Sequence, residues 1–180
     1  HLSLRRQRQM CIRDRYGIVF MPHSENVILE LDNGAPVGAF FKDLGEEAAV
    51  VDARVDMPAG LERLQVDHGD FTGAQRALSI HTDVLDGVLR HLAALFDREG
   101  LLTETEFWLT CREVVLDYER RFPGTLEKLP VLAPQFKHSC LNRLQLRNPL
   151  SMVNLGDQES SLIYAGDMDN PLHSPESTAR

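Results

Sequence analysis

Over the first third of the chain apolar residues come in short blocks rich in β-branched and aromatic side chains. From residue 75 onward they recur every three or four positions. The first pattern predicts strands and the second predicts helices. A strand is predicted over 16–21 ("YGIVFM"), ended by Pro22, and a second over 27–31 ("VILEL"). The "DNGAP" that follows is a turn signal, because Asn-Gly accepts the positive φ of a tight hairpin turn. A return strand is predicted over 37–42 and a fourth over 48–55, followed by an irregular stretch with one helical turn. Leu78, Leu85, Val88, Leu89, Leu92, Leu95 and Phe96 then share one helical face, predicting a helix over 75–98 that Gly100 closes. Thr103 with Glu106 is a capping-box pair. The apolar stripe of Phe107, Trp108, Cys111, Val114, Val115 and Tyr118 behind it predicts a core-facing helix ending before Pro123. A shorter helix is predicted over 135–147. Strands first and helices after give an α+β class: a small antiparallel sheet with a hairpin on the N-terminal side, then a mostly helical C-terminal half.

The hairpin register decides which polar side chains meet. Paired positions in an antiparallel hairpin have a constant sum, and partners share a face. A two-residue Asn33-Gly34 loop pairs Asp32 with Ala35 and sets Asn26 opposite Phe41, with Asp43 its diagonal neighbour. Pro36 cannot donate to the ladder, so a four-residue loop is the alternative, and it sets Asn26 opposite Asp43. Both registers put the amide and the carboxylate on one face, with His23 just before the strand. Amide and carboxylate oxygens suit Mg²⁺ that also holds nucleotide phosphates, and an imidazole can donate to a phosphate oxygen. The bland alternative has Asn26 capping a turn, Asp43 paired with a neighbouring cation, and His23 on the surface.

At 180 residues the chain is long enough for one domain with its own core, and 43% hydrophobic with 26% charged residues is ordinary for a soluble protein. A net charge of −8 argues against nucleic acid or an anionic membrane surface as partner. No apolar run approaches the ~20 residues that span a bilayer. Cys11, Cys111 and Cys140 have neither metal-ligand nor framework spacing and read as reduced thiols of a cytoplasmic protein. Residues 1–15, with five arginines and no apolar periodicity, read as an artefact or a disordered segment outside the fold. Without them 14 basic and 26 acidic residues remain, a net charge of −12. The domain is expected over 16–172 as part of something longer, with a disordered tail over 173–180.

"HSENVILELDNGAPVGAFFKDLG" resembles the H-x-Q-N…(R/K)-D-x-G segment of the NRPS-independent siderophore synthetases, the aerobactin-synthase type. "FKHSCLNRLQL", 136–146, resembles the K-A-L-x-x-R-L-like segment near that family's C-terminus, and "DMDNPL", 167–172, resembles its closing N-P-L. The three segments agree in order and spacing across roughly 16–172.

The resemblance implies the C-terminal palm part of a cytoplasmic ligase shaped like a cupped hand. Such enzymes adenylate a carboxylate of citrate or a related polycarboxylate with ATP and Mg²⁺, then condense it with an amine or hydroxylamine. It implies that His23 and Asn26 contact ATP phosphates and that Asp43 serves the nucleotide and Mg²⁺ site, with Asn26 a second oxygen for the metal. It also implies a homodimer. Two positions depart from the pattern. Glu25 stands where Gln is usual, adding charge near a triphosphate or a metal oxygen. Lys42 stands where Arg is common, keeping the charge but losing the bidentate fork. Much of such an enzyme lies upstream, so residues 16–172 alone are not expected to turn over. Lys137 and Arg143, six apart on the predicted short helix, are candidates for a substrate carboxylate or are solvated helix residues. His81 and His91 read as surface or partly buried on the long helix.

Two other classes stay open. A kinase-like phosphotransferase fragment also uses H-x-x-N with a later Asp, but it would carry an Asp before the Asn, and none lies between Phe20 and Asn26. A non-catalytic interaction module with a degenerate site is the other, and Glu25 is its best support.

Overall fold

The computed structural model describes residues 17–20, 26–42, 48–50, 56–65, 69, 71–139 and 164–173. Among the described residues six strands form three separate two-stranded antiparallel sheets rather than one. Strand β1 (Ile18–Phe20) pairs with β4 (Ala48–Val50), which buries Val50. Strands β2 (Val27–Asp32) and β3 (Ala35–Phe41) form the predicted hairpin. Asn33 and Gly34 both adopt positive φ, 49° and 79°, as a two-residue hairpin turn of this hand requires.

The register is neither of the two expected. Asp32 pairs with Ala35 and Leu31 with Pro36, as a two-residue loop dictates. A bulge then intervenes, so that Glu30 pairs with Gly38, Ile28 with Phe40 and Val27 with Phe41. The extra residue is Val37, next to the proline that lacks a ladder donor, where inserting it disturbs the ladder least.

The long helical run begins at α1 (Gly73–Ser79), passes through a π-helical segment (Ile80–Leu89) and continues as α2 (Arg90–Arg98). Its start carries a capping box that the sequence reading passed over. The Thr72 N–H donates to Gln75 Oε1 at 2.7 Å, and the Gln75 N–H donates to Thr72 Oγ1 at 3.2 Å. Within the π segment the Thr82 hydroxyl donates back to the Leu78 carbonyl at 2.9 Å. Gly87 lies where a Cβ would come 3.1 Å from the Thr82 carbonyl. Gly100 closes the run at φ +65°. Helix α3 (Glu104–Arg121) starts on the predicted Thr103–Glu106 box, with reciprocal bonds of 3.0 and 3.3 Å, and stops before Pro123. A single turn, α4 (Thr125–Lys128), follows.

The expected helix over 135–147 is corrected. Residues Gln135–Ser139 are strand β5, paired with β6 (Tyr164–Asp169), and 140–147 lie outside the described residues. Phe136 turns into the core while Lys137 turns to solvent, which is strand alternation.

The core joins the helices to this second ribbon. Ala77, Leu85, Ala93, Phe107, Trp108, Cys111, Val115, Leu129, Val131 and Leu172 form one cluster. Phe107 meets Trp108 edge-on at 5.3 Å and Phe96 at 5.9 Å. His81, expected at the surface or partly buried, is fully buried. Its ring stacks on Phe136 at 4.8 Å, and Nε2 lies 3.2 Å from the Val131 carbonyl. A carbonyl only accepts, so Nε2 carries the hydrogen. Among the described residues no helix is long and apolar enough to cross a membrane.

Candidate functional site

Two of the five hairpin candidates are described, and the ladder brings them together. The Lys42 N–H donates to the Asn26 carbonyl at 3.1 Å, extending the ladder one pair beyond Val27 and Phe41. Asn26 is thus opposite Lys42, on the face that also carries Ile28 and Phe40. Asn26 is buried, 5% exposed, whereas Lys42 is exposed. The sequence registers had placed Phe41 or Asp43 opposite Asn26, and the bulge replaces them with a lysine. His23, Glu25 and Asp43 lie outside the described residues.

The two ends of this face differ. At the open end an amide and an ammonium sit side by side, groups that donate to and neutralise phosphate oxygens. Toward the turn come Ile28 and Phe40, then Glu30. The other face of the ribbon presents Val27, Leu29, Leu31, Pro36, Ala39 and Phe41, with no polar side chain among them. The amide and ammonium fit a phosphate. The carboxylate that would complete a magnesium set is Asp43.

The substrate candidates separate. Lys137 projects from β5 and its Nζ meets the Asp167 carboxylate of β6 at 2.7 Å, both side chains about half exposed. Arg143 lies outside the described residues. The closing N-P-L is built into the core. Asn170 and Leu172 are 3% and 2% exposed. The Asn170 amide donates to the Val131 and Ala133 carbonyls at 2.8 and 2.7 Å, and its Oδ1 accepts from the Leu172 N–H at 2.9 Å. Arg112 on α3 donates to the Leu172 carbonyl and, at 3.1 Å, to that of His173. Every polar atom of the Asn170 side chain is engaged, so this motif holds the ribbon on the helices.

A cleft of about 130 Å³ opens where the π segment, the start of α3 and the β5–β6 ribbon meet. Asp86, Arg90, Glu104, Trp108, Phe136 and Asp169 are among its lining residues. Asp86 lies 3.0 Å from Arg90 and 3.5 Å from His138 Nε2. Glu104 accepts from Trp108 Nε1 at 3.3 Å, and Asp169 from Gln135 Nε2 at 2.9 Å. Sequence reading missed this group because its members are scattered along the chain and form no local motif.

Comparison with known proteins gives the family and the fold. Residues 9–153 match the model of the FhuF family, described as ferric iron reductase FhuF-like transporter. Putrebactin synthase of Shewanella sp. (strain MR-4) is 38% identical over 160 residues, 87% of this chain and 25% of that protein. The aerobactin synthetase IucC from a hypervirulent pathotype of Klebsiella pneumoniae superposes with a TM-score of 0.71 at 20% identity, covering 92% of this chain and 28% of that one. The ATP-bound aerobactin synthetase IucA from the same pathotype superposes with a TM-score of 0.66 at 19% identity, over 92% and 28% of the two chains. The chain therefore spans about a quarter of the length of the curated relatives it matches.

Proposed function

The chain belongs to the FhuF-like family, as the domain found at the C-terminus of NRPS-independent siderophore synthetases of the aerobactin-synthase type, and from that membership we propose that its β2–β3 hairpin binds Mg²⁺-ATP for acyl-adenylate formation. The pairing of Asn26 with Lys42 on one face of the ribbon carries this reading. It sets a neutral donor beside a fixed cation where an anionic phosphate is to be held. The proposal follows the name of the 38% identical synthase rather than the reductase and transporter of the family description.

In this reading Asn26, Lys42 and His23 would hold the phosphates, and Asp43 would hold Mg²⁺ with Asn26 as a second oxygen. Glu25 is proposed to serve the same nucleotide site. Bound Mg²⁺ would offset charge on the phosphate oxygens. A carboxylate of citrate or a related acid attacks the α-phosphorus, and the bond to the bridging oxygen breaks to release pyrophosphate. An amine or hydroxylamine then attacks the acyl carbon, and AMP departs with the bonding pair. The chain's part is positioning and charge stabilisation, the larger share of catalysis where charge develops on phosphate. Lys137 and Arg143 are proposed to receive the substrate carboxylates, and the working assembly is a cytoplasmic homodimer.

Titration of the chain with Mg²⁺-ATP tests the binding half. Binding is expected, and it should weaken at least tenfold in Asn26→Ala and Asp43→Ala. Turnover is tested in a polypeptide of full synthetase length carrying this domain, with citrate and a panel of amines. AMP and pyrophosphate are the expected products. ADP would instead identify a phosphotransferase, and binding unaffected by either substitution would move the site off the hairpin.

A further inference from the structure

We propose that Ile28 and Phe40 form the platform on which the planar base of the nucleotide lies, a proposal that rests on the hairpin being the nucleotide site. The bulge makes the platform. Were Val37 paired in the ladder instead of bulged out, Ile28 would pair with Ala39, and Phe40 would turn to the other face. With it, Ile28 and Phe40 become direct partners, and Lys42 joins Asn26 on the same face. Leaving Val37 out of the ladder therefore sets a large aromatic and a cation together on the side that holds the amide. Bulges recur beside functional sites because they re-aim side chains in this way.

Both platform side chains are open, Ile28 54% exposed and Phe40 61%. They stand two residues along the strands from the Asn26–Lys42 pair, roughly 7 Å at strand rise. The face is thus divided along its length as a nucleotide is, with an apolar shelf for an aromatic ring and an amide and ammonium for phosphate. Charge sets the direction. Glu30 and Asp32 lie toward the turn, so an anionic tail runs the other way, toward Lys42. Stacking on an aromatic side chain is sequence-tolerant because every base has a π-face, and it needs no pocket.

The test separates base from phosphate. Wild-type chain, Phe40→Ala and Lys42→Ala are titrated with Mg²⁺-ATP and with inorganic tripolyphosphate plus Mg²⁺. In Phe40→Ala, affinity for ATP is expected to fall roughly 5- to 100-fold, the worth of one base–aromatic stack, with tripolyphosphate binding unchanged. Lys42→Ala should weaken both. Phe40→Tyr retains a ring at an exposed position and should bind ATP as the wild type does. ATP affinity unchanged in Phe40→Ala overturns the platform and leaves the nucleotide site standing. So does an equal fall for both ligands, or an altered oligomeric state with affinity intact. A wild-type chain that binds tripolyphosphate as tightly as ATP also overturns it, and one that binds neither removes the site and the platform together.

Discussion

The Val131 carbonyl is shared by Asn170 and His81: the Asn170 amide donates to it at 2.8 Å and His81 Nε2 at 3.2 Å. One oxygen thereby joins the residue that follows β6, the π segment and the loop that follows α4. All three groups are buried, so each hydrogen bond is made in a place where water cannot replace it.

Asn170→Ala is expected to be strongly destabilising. It strips a donor from the Ala133 carbonyl and an acceptor from the Leu172 N–H, and it halves the donors to Val131. Orphaned buried groups cost about 1–3 kcal/mol each, so a loss of about 2–4 kcal/mol is predicted. At this chain length that lowers the thermal midpoint by roughly 5–15 °C. Asn170→Asp keeps the acceptor but sets an oxygen against two carbonyls, and it should fare no better. A tolerated Asp would refute the pin.

The Glu119 carboxylate ties the turn after α3, accepting from the Leu126 N–H at 2.8 Å and the Gly124 N–H at 2.7 Å. These bonds, Leu126 foremost, hold its pKa below the ordinary 4.5. A lowered folded-state pKa means that its contribution is present above 4.5 and is lost as pH falls through the folded value. Glu119→Gln should therefore melt below the wild type at pH 7, with the gap closing as the pH falls below 4.5 and through the lowered folded-state pKa. Glu62 and Glu106 titrate in the same direction but are common to both proteins, so the difference curve isolates Glu119. A gap that persisted at pH 2 would show that the charge is irrelevant.

Lys137 and Asp167 make a close pair at 2.7 Å, yet both are about half exposed. Surface pairs of this kind contribute about 0–1 kcal/mol. Lys137→Met and Asp167→Asn should each shift the thermal midpoint by no more than about 3 °C. Any loss of citrate binding in Lys137→Met is then a loss of recognition, because the fold is unaffected.

Trp108 is 1% exposed and packs edge-on against Phe107, with its indole N–H on Glu104. Trp108→Ala is predicted to cost about 3–5 kcal/mol, enough to unfold a marginal domain. Trp108→Phe keeps most of the volume and should be folded at 25 °C by near-UV circular dichroism.

The helices were legible because their signals are local. Thr103 and Glu106 cap within one turn, and the stripe from Phe107 to Tyr118 repeats at helical spacing. The second ribbon was not. "QFKHS" is five residues long, and its partner β6 begins 25 residues after it ends, so periodicity had too little length to tell strand from helix. His81 looked like a helix-surface residue because its neighbours Phe136 and Val131 come from sequence 50 or more positions away. On the hairpin the turn and the placement of Asn26 were readable. The residue opposite it was not, because nothing but the adjacent Pro36 marks Val37 as the extra one.

The bulge also bears on how relatives of this domain should be aligned. Along β3 an alignment carries a hidden phase: residues before Val37 count to the turn in one parity and residues after it in the other. A gap placed two or three positions from its true site would leave the identity score almost unchanged while exchanging inward for outward at the residues between the two sites. A homologue that lacks this residue keeps the same pairs in a regular ladder, whereas one that keeps it but pairs it with β2 would look equivalent in text and present the opposite side of the ribbon in space. For this segment, whether Val37 is bulged out or paired is a stronger criterion of functional kinship than percentage identity.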